Sequence, residues 1–240
     1  AKYEGELKDD KRHGPGKYTY LDGTIYEGQY KEDKTTKGET TFPNGDKYIG
    51  EHSKGFRHGH GTMFYTAEGK NIGDRYIGEY KNDKKHGKGK YIFSNGETYE
   101  EEFKEDSATG KGTTIFPNGD TYVGEHKDGQ SYGFGKFTFG SGAYSGDIYE
   151  GEIGEGNLWH GHGKYMWADG RIYEGIYKDG KKHGKGKMTW PDGDLYNGDF
   201  RDDLITGWGK YIWANGDMYV GEWKDSKKHG EGTYYYFGEN

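Results

Sequence analysis

Two His-Gly-His runs, His58-Gly59-His60 and His160-Gly161-His162, are where this chain comes nearest to a constellation that could do chemistry. Residues two apart on a strand share a face, so two imidazoles could meet one metal ion. No Asp or Glu completes a four-ligand set at recognisable spacing. His58 and His160 also belong to a column that recurs as His13, His86, His183 and His229. The pattern therefore assigns these side chains a structural or solvated role, with no metal. Gly129-Gln130-Ser131-Tyr132-Gly133 has the form of a nucleophile elbow, which requires a sharp strand-to-helix turn beside an oxyanion hole. It falls in an expected hairpin turn with no helix after it. Glycine pairs such as Gly87-Lys88-Gly89 likewise lack the following helix that a phosphate loop needs, and no Gly-Lys-Ser/Thr run occurs. The sequence thus points to no enzyme and no cofactor.

Charged and aromatic residues carry the remaining binding chemistry. Basic pairs recur at Lys11-Arg12, Lys84-Lys85, Lys181-Lys182 and Lys227-Lys228. Placed at successive turns they would line one edge and could hold anionic lipid headgroups or an acidic protein surface. Solvated turn residues are the plainer interpretation. The opposite edge would carry Asp46, Asp120, Asp194 and Asp217. An aromatic row is more regular: Tyr20, Phe42, Tyr65, Phe93, Phe116, Phe139, Trp167, Trp190, Trp213 and Tyr236. These ten rings are the candidate face for protein partners.

What must position them is a repeat. A Tyr-x-Gly signature opens units at Tyr3, Tyr26, Tyr48, Tyr76, Tyr122, Tyr149, Tyr173, Tyr196 and Tyr219, and a tenth unit opens at Tyr99 with Glu101 in place of the glycine. One continuous array is therefore expected over residues 3–240, with units starting at 3, 26, 48, 76, 99, 122, 149, 173, 196 and 219. In the unit at 76, period-two alternation puts Tyr76, Gly78 and Tyr80 on one face of a first strand. A second strand puts Gly87, Gly89, Tyr91 and Phe93 on one face. Asn95-Gly96 then signals a tight turn with both central residues at positive φ, recurring as Asp22-Gly23, Asn44-Gly45, Asn118-Gly119, Asp169-Gly170, Asp192-Gly193 and Asn215-Gly216. Each unit is one β-hairpin, and the paired glycines are expected to seat the rings of the aromatic row. Extra residues at Lys70–Arg75 and Ala143–Ile148 are expected as loops on one edge, suited to carrying contacts.

Composition agrees. The chain has 240 residues, with 46 Gly, 24 Tyr, 11 Phe and 6 Trp against 5 Leu and 2 Val, so its apolar material is mostly aromatic. Four prolines without a glycine triplet exclude collagen, and no run approaches the ~20 apolar residues of a membrane helix. Absence of cysteine excludes disulfides and thiolate metal sites. No signal peptide or Asn-x-Ser/Thr sequon is visible, which favours a cytoplasmic setting. The start at Ala1 fits a fragment of a longer protein. Interleaved charges with a net of -7 argue against nucleic acid as partner.

The pattern Tyr-Glu-Gly-x-Tyr-x-x-Gly-x-x-His-Gly-x-Gly, nearly intact from Tyr173 onward, resembles the MORN repeat (membrane occupation and recognition nexus). The likeness covers essentially the whole chain. Departures fall at Thr35, Thr109, Tyr132 and Thr206, which replace the motif histidine, and at Thr36, which replaces its glycine. The resemblance implies an all-β fold, an elongated, twisted, single-layer antiparallel meander of about ten hairpins. It also implies a non-catalytic scaffold for protein–protein interaction. All-repeat members of this kind occur in the cytoskeleton and in ciliary or flagellar axonemes, including radial spoke heads. Partners would be other proteins of a large assembly or a second copy of the chain. The alternative is a membrane-associated module that binds phosphoinositides.

Overall fold

The computed structural model describes residues 1–67, 71–127 and 129–238. Lys70, at the start of the first insertion, lies outside them, as do Glu239 and Asn240 of the last repeat. The chain divides into two compact halves, Ala1–Pro117 and Asn118–Asn240. The N-terminal half holds β1 (Lys2–Lys8), β2 (Lys11–Thr19), β3 (Ile25–Lys31), β4 (Lys34–Thr41), β5 (Lys47–Ser53), β6 (Phe56–Phe64), β7 (Arg75–Lys81), β8 (Lys84–Ile92), β9 (Thr98–Lys104) and β10 (Ser107–Ile115). The C-terminal half holds β11 (Thr121–Lys127), β12 (Gln130–Thr138), β13 (Ile148–Ile153), β14 (Trp159–Met166), β15 (Ile172–Lys178), β16 (Lys181–Thr189), β17 (Leu195–Arg201), β18 (Leu204–Ile212), β19 (Met218–Lys224) and β20 (Lys227–Tyr235). Within each half every strand pairs antiparallel with its sequence neighbours, as β7 does with β6 and β8, giving an open meander of five hairpins. Two single turns of 3₁₀ helix, Gly142–Tyr144 and Glu155–Asn157, are the only helical segments among the described residues.

The turns differ from the sequence expectation in an instructive way. At Asn95-Gly96 only the glycine has positive φ (91°). The Phe93 carbonyl accepts from the Gly96 N–H at 2.9 Å, and the Phe93 N–H donates to the Glu97 carbonyl at 2.9 Å. This is a three-residue loop, a type I turn closed by a left-handed glycine. Asn95 serves through its side chain, whose Oδ1 accepts the Glu97 N–H at 2.8 Å. Two-residue turns with both residues at positive φ do occur, but inside repeats and on acidic or amide residues: Asp9-Asp10, Glu32-Asp33, Asn82-Asp83, Glu105-Asp106 and Asp202-Asp203. Asp tolerates this conformation, and its carboxylate explains the choice. Asp83 Oδ1 accepts the N–H of Arg57 in the preceding repeat at 2.8 Å, while the Asp83 N–H donates to the Arg57 carbonyl at 3.0 Å. Asp33 with Arg12, Asp106 with Lys85 and Asp203 with Lys182 repeat the link. The opposite edge is joined in the same manner. Asp46, Asp74, Asp120, Asp147, Asp194 and Asp217 each accept a turn N–H one repeat further on.

The rings seated on glycine are also not the ones expected. They are the opening tyrosines. A Cβ added at Gly163 would meet Tyr149 Oη at 2.6 Å and its ring carbons at 2.7 and 2.9 Å, and one at Gly151 would meet the Gly163 Cα at 2.6 Å. The ring therefore lies across two bare backbones. Tyr26, Tyr48, Tyr76, Tyr122, Tyr149, Tyr173 and Tyr196 are all essentially inaccessible. Each even strand but β4 contains a bulge that moves the register by two residues, as between Gly78 and Glu79 opposite Gly89 and His86, so the alternation of faces survives. In β4 the shift is by one, between Gly28 and Tyr30 opposite Gly38 and Thr35. A left-handed glycine sits in the bulge (Gly87, φ 58°). In eight repeats, among the described residues, the hydroxyl of the opening tyrosine donates to the carbonyl three residues on, as Tyr149 does to Glu152 at 2.8 Å. Burial drives these phenols upward, to about 12 for Tyr26 and Tyr122.

A second ring, four residues after the opening tyrosine, locks neighbouring repeats together. Tyr80 meets Tyr76 edge-on at 5.4 Å and Tyr48 of the preceding repeat at 5.1 Å. Tyr177 and Phe200 do the same. Such edge-to-face pairs contribute about 0.5–1.5 kcal/mol each beyond burial. In the third repeat this place is taken by His52, 7% exposed, between Tyr26 and Tyr48. Its Nε2 and Nδ1 lie 2.9 Å from Thr40 Oγ1 and 3.2 Å from the Gly50 carbonyl. Burial holds its pKa below the ordinary imidazole value, so the unfolded chain binds the proton more readily. Stability of the N-terminal half is accordingly full above about pH 6.5 and falls as pH drops through the lowered folded value. Thermal midpoints at pH 7.5 and 5.5 check this. His52→Tyr, the residue type of repeats two and four, is expected to flatten the difference.

Candidate docking surface

The second residue of most even strands stands on the ring face, opposite the residue four after the opening tyrosine, as Lys85 stands opposite the buried Tyr80. In five repeats it is a cation lying over aromatic rings. Arg12 Cζ lies 5.2 Å from the Tyr30 centroid, Arg57 Cζ 5.1 Å from Tyr80, and Lys85 Nζ 4.3 Å from Tyr91. Lys182 Nζ lies 5.3 Å from Trp167, and Lys228 Nζ 4.3 Å from Trp213. Such contacts are cation–π interactions worth about 0.5–2 kcal/mol. Burial lowers the pKa of Lys85 and Lys182, since the ammonium form loses water.

The four basic pairs of the sequence are therefore divided. They occupy the first two positions of β2, β8, β16 and β20 rather than the turns. Lys11, Lys84, Lys181 and Lys227 are exposed, whereas Arg12, Lys85, Lys182 and Lys228 turn onto the rings. The turns beside them are acidic, and Lys84 Nζ lies 3.5 Å from Glu105 Oε2. The edge is of mixed sign. The Asp residues of the other edge are engaged in the turn links described above.

The aromatic row falls one residue beyond each even strand, at the start of the inter-repeat loop. Phe42, Tyr65, Phe93, Phe116, Phe139, Trp167, Trp190 and Trp213 are half-buried, and Tyr20 and Tyr236 exposed. Where the residue two earlier is aromatic they rest on its ring, as Trp167 does on Tyr165 at 4.6 Å and Trp213 on Tyr211 at 4.8 Å. The row thus forms the outer margin of the ring face, not its glycine-seated floor. Ser131 of the elbow-like run is buried in β12, one residue past its start, rather than in the turn. Between the histidines of each His-Gly-His run lies a left-handed glycine, Gly59 or Gly161, at the bulge. Groups of three or more potential ligands are absent among the described residues.

In the C-terminal half the ring face opens into a cleft of about 360 Å³. Its walls are Phe139, Trp159, Tyr165, Trp167 and Tyr177, with Tyr144 at the rim and Lys182 and Asp203 also bordering it. Two of these residues depart from the repeat pattern. Tyr144, 61% exposed, comes from the second insertion and packs on Phe139 at 5.9 Å. Trp159 occupies the cation position and stacks on Tyr149 at 4.7 Å and 12°. Aligning Trp159 with Lys85 and Lys182 in the repeat register was the available signal.

A family profile described as the MORN repeat matches nine segments, residues 3–25, 26–47, 48–67, 76–98, 102–121, 149–170, 173–195, 196–218 and 219–237. The chain belongs to the MORN-repeat family. MORN repeats are scaffold rather than catalytic modules. Among solved structures, the wild-type TCP10 domain of Danio rerio CPAP is similar at a TM-score of 0.53 and 14% identity, covering 90% of this chain and 98% of that one. A point mutant of the same domain is similar at 0.53 and 13%, with the same coverage. At such identity the likeness concerns the fold alone.

The MORN profile leaves residues 122–148 unmatched, yet β11 and β12 form the same bulged hairpin, with Gly124 opposite Gly135. Tyr132 in the histidine column and the Ala143–Ile148 insertion set this repeat apart. The fifth match begins only at residue 102. There Glu101 fills the place of the MORN glycine, opposite Gly112 and Gly89, and is 6% exposed. Its carboxylate accepts from the Tyr99 hydroxyl, the Gly110 N–H and the Thr109 hydroxyl, the last at 3.1 Å. A buried carboxylate is thereby tolerated because every bond it needs is made.

Proposed function

We propose that this MORN array is a non-catalytic scaffold that docks other proteins of a large assembly on its aromatic face. The observation that carries this reading is the 360 Å³ cleft of MORN repeats six to nine, an apolar concavity walled by Tyr, Trp and Phe and bordered by the Lys182–Asp203 pair. Partly exposed Tyr and Trp side chains held in fixed geometry are the anchors from which protein interfaces draw most of their affinity. The array resembles those of cytoskeletal and axonemal MORN members, and the assembly we propose is a ciliary or flagellar axoneme complex such as the radial spoke head.

The alternative, a phosphoinositide-binding MORN module, would draw on the basic pairs. With one member of each pair over rings and acidic turns beside the other, the local charge favours protein docking over an anionic membrane. Co-sedimentation with vesicles of phosphatidylcholine, phosphatidylserine and a phosphoinositide at ~0.15 M salt tests the choice. Binding no stronger than to phosphatidylcholine alone is expected, while Tyr144→Ala/Trp167→Ala lowers capture of axonemal partners at least ~tenfold. Vesicle binding that Lys84→Glu/Lys181→Glu abolishes, with partner capture unaffected by the cleft variant, would sink the proposal.

A further inference from the structure

The cation column contains a place that the chain leaves unfilled. The sequence pattern puts Thr35 of repeat two in the histidine column, but β4 is one residue short and Thr35 pairs with Tyr30. That makes it the second residue of the strand, in the cation column. It is buried, and its Oγ1 accepts the Gly55 N–H at 3.1 Å. The ring walls of the seat remain. Tyr20 stands where Trp167 stands for Lys182 and Trp213 for Lys228, and Tyr26 stands where Tyr173 and Tyr219 stand. A cavity of about 190 Å³ occupies the vacated position, lined by Tyr20, Tyr26, Phe42, His52 and Asp22.

Charge fixes what fits there. Arg57 also borders the cavity, but it is committed to Asp83, with Nε 3.2 Å from Oδ1 and Nη2 2.7 Å from the Asp83 carbonyl. Asp22 forms no ion pair among the described residues; its Oδ1 accepts the Thr24 N–H at 2.9 Å. The seat is thus a cup of ring faces with one uncompensated carboxylate at its mouth. An anion would meet Asp22 and Asp83, and an apolar group would cover Asp22 without a counter-charge. A guanidinium or ammonium satisfies both the ring faces and the carboxylate. Five other repeats supply this occupant from their own sequence.

We propose that the repeat-two seat takes an arginine or lysine side chain supplied by a partner protein. The inference rests on the protein-docking reading and adds the partner's chemistry at one defined point.

The test uses the full chain labelled with 4-fluorophenylalanine, the Phe42 fluorine resonance being assigned by Phe42→Leu. Probes are capped pentapeptides, Gly-Ser-Arg-Ser-Gly and its lysine counterpart, with the glutamine version as control. The Phe42 resonance is expected to shift saturably with an apparent Kd of about 1–10 mM for the basic peptides and to stay still with the glutamine peptide. Asp22→Asn should weaken binding about threefold or more. Thr35→Arg, which fills the seat from within, should abolish it. No shift at ~20 mM basic peptide, an equal shift with glutamine, or undiminished binding by a folded Thr35→Arg would overturn the proposal. Should Thr35→Arg lose its fluorine dispersion through misfolding, the Asp22→Asn titration decides. Failure here leaves the cleft variants of the C-terminal half unaffected, so it is separable from failure of protein docking itself.

Discussion

Gly163→Val is expected to cost about 3–5 kcal/mol, the range for losing a large buried ring. Even the first carbon of the new side chain would stand 2.6 Å from Tyr149 Oη and 2.7 Å from its ring. The ring cannot retreat. Trp159 stacks on it at 4.7 Å, and Tyr177 meets it edge-on at 5.5 Å. Gly151, opposite, leaves no slack either, because its Cβ position is already filled by the Gly163 Cα. Either Tyr149 leaves its fully buried site or β13 and β14 separate. Urea unfolding followed by tryptophan fluorescence reads both, since Trp159 lies against the displaced ring. Gly156→Asn is the matched control: nothing lies within 4 Å, and Asn tolerates the local φ of 69°. It should change stability by no more than about 0.5 kcal/mol.

Asp147→Ala should destabilise the C-terminal half by about 2–3 kcal/mol. Asp147 is 5% exposed and satisfies two groups of the next repeat, the Ala168 N–H at 2.7 Å and the Tyr165 hydroxyl at 2.6 Å. Alanine leaves both without an acceptor, the Tyr165 hydroxyl in a buried setting and the Ala168 N–H in a partly buried one. Asp147→Asn keeps one acceptor oxygen for Ala168, and its amide can donate to Tyr165 once that hydroxyl rotates. A cost nearer 1 kcal/mol is expected. Hydrogen exchange at the Ala168 amide separates the variants: rapid in Asp147→Ala, largely protected in Asp147→Asn. Equal loss in both would mean that charge, not the hydrogen-bond link, holds the repeats together.

The hairpins were legible in the sequence because two periods coincide, the alternation of Tyr76, Gly78 and Tyr80 within a strand and the recurrence of Tyr-x-Gly along the chain. The turn chemistry was legible only in part. Asn-Gly marks both a two-residue and a three-residue loop, and what separates them at Asn95-Gly96 is the bond from Phe93 to Glu97, which no single residue type announces. The acidic turns such as Glu105-Asp106 carry left-handed residues without glycine because their carboxylates bond across repeats, a contact set by neighbouring hairpins. The same limit applied to the rings. Any aromatic on the glycine face could have been the seated one, and the two-residue bulge at Gly87 decides it by placing the Tyr76 ring over Gly78 and Gly89. At the docking surface the row from Phe42 to Trp213 was found at once. The inward turn of Lys85 and Lys182 was hidden, because a basic pair gives no sign that its two members face opposite ways.

The docking claim is tested most directly by photo-crosslinking from the two faces of the C-terminal half. A benzophenone side chain placed at Tyr144, on the rim of the aromatic cleft, is compared with one at Trp208, which is 53% exposed and lies on the opposite face between Gly207 and Gly209. In native extract the cleft probe is expected to yield one dominant protein adduct, lost on adding Trp167→Ala, while the Trp208 probe yields little. Adducts formed mainly from Trp208, or adducts from Tyr144 that persist without Trp167, would contradict the account.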